Sequence, residues 1–270
     1  MKTATHLTIA LVLLSFAQIS LSETIEPDEY LPSLQIGFEK TIRKNVLRIE
    51  RTDVSGDSAE KTYRFRRIEL DWHGRIYKEL DWRGNEKNLE TTLLNDAPVQ
   101  FYTYSSVRGP LSEVAIREES EVTSKMIFIY DTAGDLIQIA LVKNSETTIL
   151  REFFHSSDNK MIKAASPENP RETYFYEFVD NRCTRQINHE DGEVSSALVT
   201  YQYNDNGFLM RTEVYDLGYN HELQEFYTYE YTFDTRGNWT SRTRYKWTNA
   251  DSDWVEEVDL VSTRRISYRR

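Results

Sequence analysis

A turn pattern that recurs along the chain limits its fold more than any other feature of the sequence. Of the 10 glycines, six lie three residues after an Asp or Asn. The pairs are Asp53–Gly56, Asp71–Gly74, Asp81–Gly84, Asp131–Gly134, Asn204–Gly207 and Asp234–Gly237. Asp or Asn at the first position and Gly at the fourth is typical of a type I turn that a left-handed residue closes. Between strands, such a turn makes a three-residue hairpin loop with a glycine bulge.

The segments between these turns have the composition of strands. Ile, Val, Thr, Tyr and Phe, which fit a pleated surface, dominate 125–130, 136–142, 147–154 and 173–179. Ser112 to Val122 is a helix candidate whose pattern also fits a strand. The sequence therefore predicts an all-β protein, an antiparallel meander of β-hairpins that forms a curled sheet. A β-sandwich or a barrel is the alternative.

The last of the turns lets a hairpin register be predicted. The turn pairs Phe233 with Trp239. The same register places Glu230 opposite Arg242, and it separates an aromatic face from a polar one. The aromatic face carries Tyr227, Tyr229, Tyr231, Phe233, Trp239, Tyr245 and Trp247.

This aromatic face is the candidate binding surface. The candidate binding residues are Tyr227, Tyr229, Tyr231, Trp239, Tyr245 and Trp247. We expect the face to pack as the core of the sheet. The alternative is a platform for a glycan or a protein partner, because Tyr and Trp suit surfaces that are half apolar and half wet.

The beginning of the chain predicts export. Leu7 to Phe16 is a run of apolar and hydroxyl residues, and Ser20 and Ser22 are small residues placed for cleavage before Glu23. We expect the mature protein to be periplasmic or secreted, with no transmembrane helix once the signal is removed.

The predicted organisation follows from this signal and from the turns. A signal peptide occupies 1–22, an extended leader with acidic and proline residues 23–36, and a β-meander domain 37–270. The segment 156–170 has the composition of a loop, and it is where the domain would divide if it consists of two parts.

Charge and motifs exclude several function classes. The net charge of −11 disfavours nucleic-acid binding, which needs an excess of Lys and Arg. The sequence has no zinc-binding motif, no phosphate-binding loop and no nucleophile elbow, so we expect no metal, no cofactor and no catalytic residue. Cys183 and His189 would lie roughly 20 Å apart on one strand, so we expect Cys183 to be a small buried side chain.

Three segments resemble a known family. IYDTAGDLIQI (129–139), YQYNDNGFLMRTEVYD (201–216) and YTFDTRGNWTSRTRY (231–245) resemble the YD repeats of the RHS (rearrangement hotspot) family, whose unit reads roughly Tyr-Asp-x-x-Gly-x-Leu-Thr. The resemblance implies long antiparallel sheets of hairpins and an exported protein. It implies no catalytic residue.

Three functions remain open on these grounds. The first is an exported, non-catalytic β-sheet protein that binds a glycan, a cell-envelope component or a protein partner. The second is a secreted hydrolase whose acidic residues meet in three dimensions. The third is an outer-membrane β-barrel. The sequence leaves the oligomeric state open.

Overall fold

The chain forms a closed antiparallel β-barrel in which each strand pairs with its neighbours in sequence, and the first strand pairs with the last. The computed structural model describes residues 46–56, 61–84, 98–106, 109–118, 121–157, 161–167, 172–180, 182–190, 197–217, 221–250 and 253–269. The strands are β1 Val46–Ser55, β2 Thr62–Leu70, β3 Ile76–Gly84, β4 Val99–Tyr104, β5 Leu111–Glu118, β6 Glu121–Tyr130, β7 Leu136–Lys143, β8 Glu146–His155, β9 Met161–Ala165, β10 Glu172–Val179, β11 Arg182–Glu190, β12 Ala197–Tyr203, β13 Leu209–Asp216, β14 Glu222–Phe233, β15 Trp239–Ala250 and β16 Asp253–Tyr268.

This architecture confirms the predicted all-β antiparallel meander, and the sheet closes as in the barrel alternative. The helix candidate from Ser112 to Val122 is wrong, because its described residues, 112–118 and 121–122, belong to β5 and β6. The loop-like segment 156–170 contains β9, which pairs with both β8 and β10, so the sheet continues through it. The predicted signal peptide (1–22) and leader (23–36) lie outside the described residues.

Four of the predicted turns form as expected. Gly74, Gly134, Gly207 and Gly237 have φ angles of 79°, 90°, 88° and 78°. Each donates its backbone N–H to the carbonyl of the Asp or Asn three residues earlier. Each turn joins an even-numbered strand to the next odd-numbered one, so all four lie at one end of the barrel, here called the turn end. The opposite end is called the loop end.

Two of the predicted turns do not form. Asp53 lies inside β1 and Asp81 inside β3, where each carboxylate contacts an arginine. Gly84 is the last residue of β3, whereas Gly56 follows β1 with a φ of 95°. The Asp-x-x-Gly spacing alone therefore does not distinguish a turn from a strand whose Asp meets a cation across the sheet.

A β-bulge lies beside each of the four turns that form, and the bulge at Phe233 changes the predicted register of its hairpin. Phe233 pairs with Trp239 as predicted, but the register shifts between Thr232 and Phe233. Glu230 consequently lies opposite Thr243 and not Arg242. Similar shifts occur at Glu69/Leu70, Ile129/Tyr130 and Gln202/Tyr203. The extra residue moves every later side chain of the returning strand to the other face.

The barrel is apolar inside over most of its circumference. Residues that pair across neighbouring strands share a face, so the buried positions identify the inner one. The main core cluster extends from β4 to β14 and consists of Tyr102, Leu111, Val114, Met126, Phe128, Leu136, Ile139, Phe153, Ile162, Ala164, Phe178, Cys183, Val199, Tyr201, Leu209, Tyr227 and Tyr229. A smaller cluster near the turn end contains Val46, Ile49, Ile68 and Leu70.

Inward-facing tyrosines connect neighbouring hairpins at the turn end. The hydroxyl of Tyr104 donates to the carbonyl of Ile76, at 2.9 Å. Tyr203 donates in the same way to Cys183 and Tyr231 to Leu209. In each case a tyrosine near the end of an even-numbered strand donates to a carbonyl near the start of the odd-numbered strand before it. This bond satisfies the hydroxyl and links the two strands at the turn end.

Candidate functional site

The inner wall changes character between β15 and β3, where charged side chains replace the apolar ones. One row across this sector runs from Asp81 through Arg66 and Arg51 to Arg264, on four adjacent strands. The strands bring these residues together because each occupies a register position directly opposite the next. Arg51 and Arg66 are buried, at 4% and 9% exposure.

A second row lies one step nearer the loop end. Asp53 of β1 pairs with Ser262 of β16, and Ser262 pairs with Arg242 of β15. Arg242 and Ser262 are 3% and 0% exposed. We call Arg51, Arg66, Arg242 and Arg264, with Asp53 at their centre, the buried arginine cluster.

Asp53 holds two of these arginines in place. Its Oδ1 accepts a hydrogen bond from Arg51 Nε at 2.6 Å, and its Oδ2 lies 3.5 Å from Arg66 Nη2. Arg51 also donates from Nη2 to Ser262 Oγ at 3.4 Å. The carboxylate thus bridges two guanidinium groups that would otherwise repel each other at neighbouring register positions.

Trp239 supplies an aromatic surface for three of the arginines. The guanidinium carbon of Arg264 lies 3.4 Å from the centroid of the indole ring. Those of Arg242 and Arg51 lie at 5.4 Å and 5.7 Å. Trp239 is itself 7% exposed, so these cation–π contacts form away from water, where they are strongest.

Burial and neighbouring charges shift the titration of this site. Burial, reinforced by the charge of Arg66, lowers the pKa of Arg51 to about 10. For Asp53, burial alone would raise the pKa, but Arg51 and Arg66 hold it well below its usual range. Both groups of this pair are therefore ionised at neutral pH.

A third acid borders the cluster. Glu79 is buried on the inner face of β3, and burial raises the pKa of its carboxyl above the ordinary value although Arg66 opposes the shift. Tyr102 donates its hydroxyl to Glu79 Oε2 at 2.7 Å. Asp81 and Glu79 thus border the cluster on β3, and Asp53 lies at its centre.

The structure divides the predicted aromatic face between the two sides of the barrel wall. Tyr227, Tyr229 and Trp239 are buried inside, at 1%, 3% and 7% exposure, and Tyr231 faces inward beside them. The predicted face is therefore core at these positions. Across the hairpin, Tyr227, Tyr229 and Tyr231 pair with three cations, Lys246, Arg244 and Arg242.

Tyr245 and Trp247, the other two candidate binding residues, lie on the outer wall. The hydroxyl of Tyr245 donates to Glu230 Oε2 at 2.9 Å. Trp247 stacks on Phe226 with ring centroids 5.3 Å apart and donates from Nε1 to Thr228. The bulge beside Phe233 causes this separation, because it shifts the pairing of β15 by one residue.

Arg242 was missed because the predicted register of its hairpin assigned it to the polar face, and no register was predicted for the strands of Arg51, Arg66 and Arg264. A signal for them exists in the sequence: Arg51 and Asp53, Arg64 and Arg66, and Arg242 and Arg244 are each two residues apart in strands. A spacing of two places both side chains on one face. Three such strands that meet in one sector give a charged inner wall.

Cys183 and His189 do not form a catalytic pair. Cys183 faces the core at 1% exposure, and burial raises the pKa of its thiol to about 12. His189 is exposed and makes an edge contact with Phe175 on the outer wall. Among the described residues, no group of three or more His, Cys, Asp or Glu is placed to hold a metal ion. Within the same residues, no helix is long and apolar enough to cross a membrane.

Comparison with known proteins bears on the fold of the chain. No family model and no curated protein matches the sequence. A porin-like protein from Bacteroides uniformis ATCC 8492 is similar with a TM-score of 0.57 and 12% identity, over 82% of this chain and 96% of that one. A porin-like protein from Bacteroides vulgatus ATCC 8482 matches 84% of this chain and 99% of its own at 10% identity, with a TM-score of only 0.22. The first likeness supports the class of the fold, a closed antiparallel β-barrel.

Proposed function

We propose that the chain is an exported, non-catalytic β-barrel that works in an aqueous compartment and binds a glycan, a cell-envelope component or a protein partner. The observation that carries this proposal is the difference in polarity between the inner and outer faces of the barrel wall. The inner face is apolar over most of the circumference, and the outer face carries charged pairs on many strands.

The outer charges belong to opposite-charge pairs on neighbouring strands or on one strand. Arg67 Nε lies 3.1 Å from Glu50 Oε1, and Lys125 Nζ lies 3.2 Å from Glu113 Oε1. Two further pairs of this kind are Arg185–Glu177 and Arg211–Glu213. These pairs lie on separate parts of the circumference, so the polar surface is not confined to one side of the barrel.

The charges also lie near the middle of their strands. Glu50 and Lys125 are each the fifth residue of a 10-residue strand, and Glu213 is the fifth of eight. On the lipid face of a transmembrane barrel, an Arg or Lys at the bilayer midplane costs roughly 2–4 kcal/mol. A water-exposed outer wall carries these side chains without such a cost, which favours an aqueous location.

An outer-membrane barrel is the second candidate. The similar fold of the porin-like protein from Bacteroides uniformis favours it. An outer aromatic cluster, in which Phe226 contacts both Trp247 and Trp254, would suit the interfacial region of a bilayer. The charged mid-strand positions weigh against this candidate.

Purification of the mature chain without detergent tests the proposal. We expect the chain from Glu23 onward to remain soluble and to give a single folded species by size-exclusion chromatography and circular dichroism. It should stay in the supernatant when phospholipid vesicles are sedimented. A chain that folds only in detergent, or that sediments with the vesicles, would favour the outer-membrane barrel.

A matched pair of variants sharpens the comparison. Lys125→Leu and Arg185→Leu each replace an outer-wall cation by an apolar side chain. For a water-exposed wall, both variants should lower solubility. In a lipid-facing wall, the same changes should instead stabilise insertion into vesicles, since each removes a charge from hydrocarbon.

A further inference from the structure

The last hairpin of the barrel extends past β1 at the loop end. β15 and β16 pair as far as Ala250 and Asp253. β1, the other neighbour of β16, ends at Ser55, which lies opposite Leu260. Residues 253–259 of β16 therefore lie beyond the end of β1, and on that side none of them pairs with a strand among the described residues. We call this unpaired side of 253–259 the open edge.

An open edge is a place where another chain can join the sheet. It presents a row of unpaired N–H and C=O groups, and an extended peptide can add as a further strand by hydrogen bonding to them. At about 3.3 Å per residue, 253–259 offers roughly 20 Å of backbone. Side chains on it are accessible as well, since Val255 and Val258 are 51% and 55% exposed.

The open edge is acidic and contains no Lys or Arg. Its acidic residues are Asp253, Glu256, Glu257 and Asp259. The cations across the hairpin are already engaged: Arg244 pairs with Asp259, and Lys246, opposite Glu257, is bound by Glu225 at 2.8 Å. The other three acids of the edge form no ion pair within the described part of the chain. A basic partner would therefore neutralise charge that the barrel leaves uncompensated.

The acids and the apolar side chains alternate on each face of the open edge. Pairing with β15 assigns Asp253, Val255 and Glu257 to the inner face, and Trp254, Glu256 and Val258 to the outer face. A complementary strand has a Lys or Arg opposite each acid and an apolar side chain opposite each apolar one. Along its length, such a strand reads basic, apolar, apolar, basic, basic, apolar.

We propose that the open edge binds an extended segment of a protein partner with this pattern, and that the segment adds to the barrel as a further β-strand. Hydrogen bonds to the backbone of β16 supply affinity, and the side chains of the two faces supply specificity. This inference names the kind of partner that the proposed binding protein takes and therefore rests on the proposed function.

A second copy of the chain fits the open edge poorly. Because 253–259 contains no cation, two such edges side by side would place acids against acids or against apolar side chains in any register. Like charges directly opposite each other destabilise a sheet. The acids that attract a basic strand thus also oppose self-association, which is how natural sheets protect their edges.

The hairpin holds the open edge in place before a partner arrives. On the outer wall, Trp254 contacts Phe226 of β14 with ring centroids 5.0 Å apart, and Phe226 stacks on Trp247. On the inner wall, Asp259 pairs with Arg244. Binding therefore orders the incoming peptide but not β16, which favours affinity.

Two synthetic peptides of equal composition test the proposal. The matched peptide, KVVKKVVK, has the complementary pattern, whereas the alternating peptide, KVKVKVKV, has every Lys on one face and every Val on the other. Each carries an N-terminal fluorophore, and its anisotropy is followed as the mature chain is added at about 0.15 M salt. We expect saturable binding of the matched peptide and about fivefold weaker binding of the alternating one, because only the matched pattern suits both faces. Equal affinities, or no binding of the matched peptide up to about 1 mM, would overturn the proposal.

Two double variants locate the site. Glu256→Gln with Glu257→Gln removes two charges from the open edge, and Glu121→Gln with Glu146→Gln removes two from the loop-end starts of β6 and β8. All four side chains are exposed, so both variants should fold. The first should weaken binding of the matched peptide about fivefold, as expected for two exposed ion pairs, and the second by less than about twofold. Equal losses would mean that the peptide responds to net charge alone, and the assignment to the open edge would be wrong.

Backbone hydrogen exchange identifies the mode of binding. When the matched peptide adds as a strand, amides of 253–259 should exchange more slowly, because hydrogen bonds to the peptide protect them. Unchanged exchange across this segment at saturating peptide would contradict strand addition. A dimer that forms without peptide and protects the same amides would assign the edge to a second copy, and would equally overturn the proposal.

The inference and the proposed function can fail separately. A chain that is soluble without detergent but binds neither peptide would keep the aqueous barrel and discard the partner strand. A chain that requires detergent but binds the matched peptide through Glu256 and Glu257 would discard the aqueous location and keep the open edge as a binding site.

Discussion

Replacement of Trp239 by alanine is the most informative single change in the barrel. Trp239 is the first residue of β15 and faces inward at 7% exposure. Its ring contacts Tyr231 edge-on, with centroids 6.3 Å apart, and lies 3.4 Å from the guanidinium carbon of Arg264. The change therefore removes core volume and the aromatic surface of the arginine cluster together.

The expected cost follows from these two contributions. Loss of a buried Trp side chain costs about 3–5 kcal/mol, which includes the cavity that remains. The ring that Arg264 contacts is only 7% exposed, and a desolvated cation–π contact contributes about 2 kcal/mol. Because some of that contact is already counted in the buried volume, we expect Trp239→Ala to cost about 4–5 kcal/mol. Domains of ordinary stability have only about 5–15 kcal/mol to lose, so the variant should be marginally folded.

Urea unfolding followed by far-ultraviolet circular dichroism measures this cost, and two other tryptophans give matched controls. Trp247 stacks on Phe226 on the outer wall, so Trp247→Ala should cost about 1 kcal/mol. Trp72 is 84% exposed in its turn, and Trp72→Ala should change the stability by less than about 0.5 kcal/mol. If Trp239→Ala cost no more than Trp72→Ala, the inward orientation and the cation–π cluster would both be wrong.

The other predictions concern a turn, a carboxylate and a thiol. Gly237 has a φ of 78°, so Gly237→Ala should destabilise the chain by about 1 kcal/mol or more in the same urea assay. Burial raises the pKa of Asp53, but Arg51 and Arg66 lower it by a larger amount. The pKa of Asp53 in the folded protein therefore lies below its value in the unfolded chain. Its contribution to stability is therefore present above about pH 4 and is lost as the pH falls, and Asp53→Asn should flatten the acid limb of unfolding midpoints measured from about pH 6 to about pH 2. Burial raises the pKa of Cys183 to about 12, so iodoacetamide should label it only after denaturation, as intact mass spectrometry would detect; rapid labelling of the native chain would contradict its burial.

The turn chemistry of the sequence was sufficient to predict the strand meander. Gly134, Gly207 and Gly237 adopt positive φ angles at the predicted positions, and the flanking strands pair antiparallel. These features are local: an Asp or Asn carboxyl or amide oxygen accepts from the N–H groups two and four residues later, whatever the remainder of the chain does. Asp81 does not begin such a turn, because Arg64 on the adjacent strand binds its carboxylate. A contact across the sheet competes with the turn there, and the sequence does not contain that contact explicitly.

The register was harder to predict, because a bulge is a choice between nearly equal local pairings. At the Phe233 bulge, Thr232 pairs with Ser241 and Phe233 with Trp239, which leaves Thr240 as the extra residue. A pattern of alternating faces does not detect this residue when Thr and Ser occupy both candidate positions. The predicted register, which lacks this one-residue shift, therefore assigns Arg242 to the wrong side of the wall.

The charged site depends on which face of a two-faced strand turns inward, and closure of the barrel decides that. In β15, Arg242, Arg244 and Lys246 alternate with Ser241, Thr243 and Tyr245. These cations share a face with Tyr227, Tyr229 and Tyr231, so the alternation within the hairpin does not by itself decide which face turns inward. In the closed barrel, the strand is held between β14 and β16, whose inner positions include Tyr229 and Ser262. The guanidinium of Arg242 lies over the ring of Tyr229, and Ser262 pairs with Asp53, so the inner wall offers the cations both an aromatic ring and a carboxylate. The charged sector of the inner wall can therefore be recognised only once β1 and β16, which are far apart in sequence, are known to be neighbours.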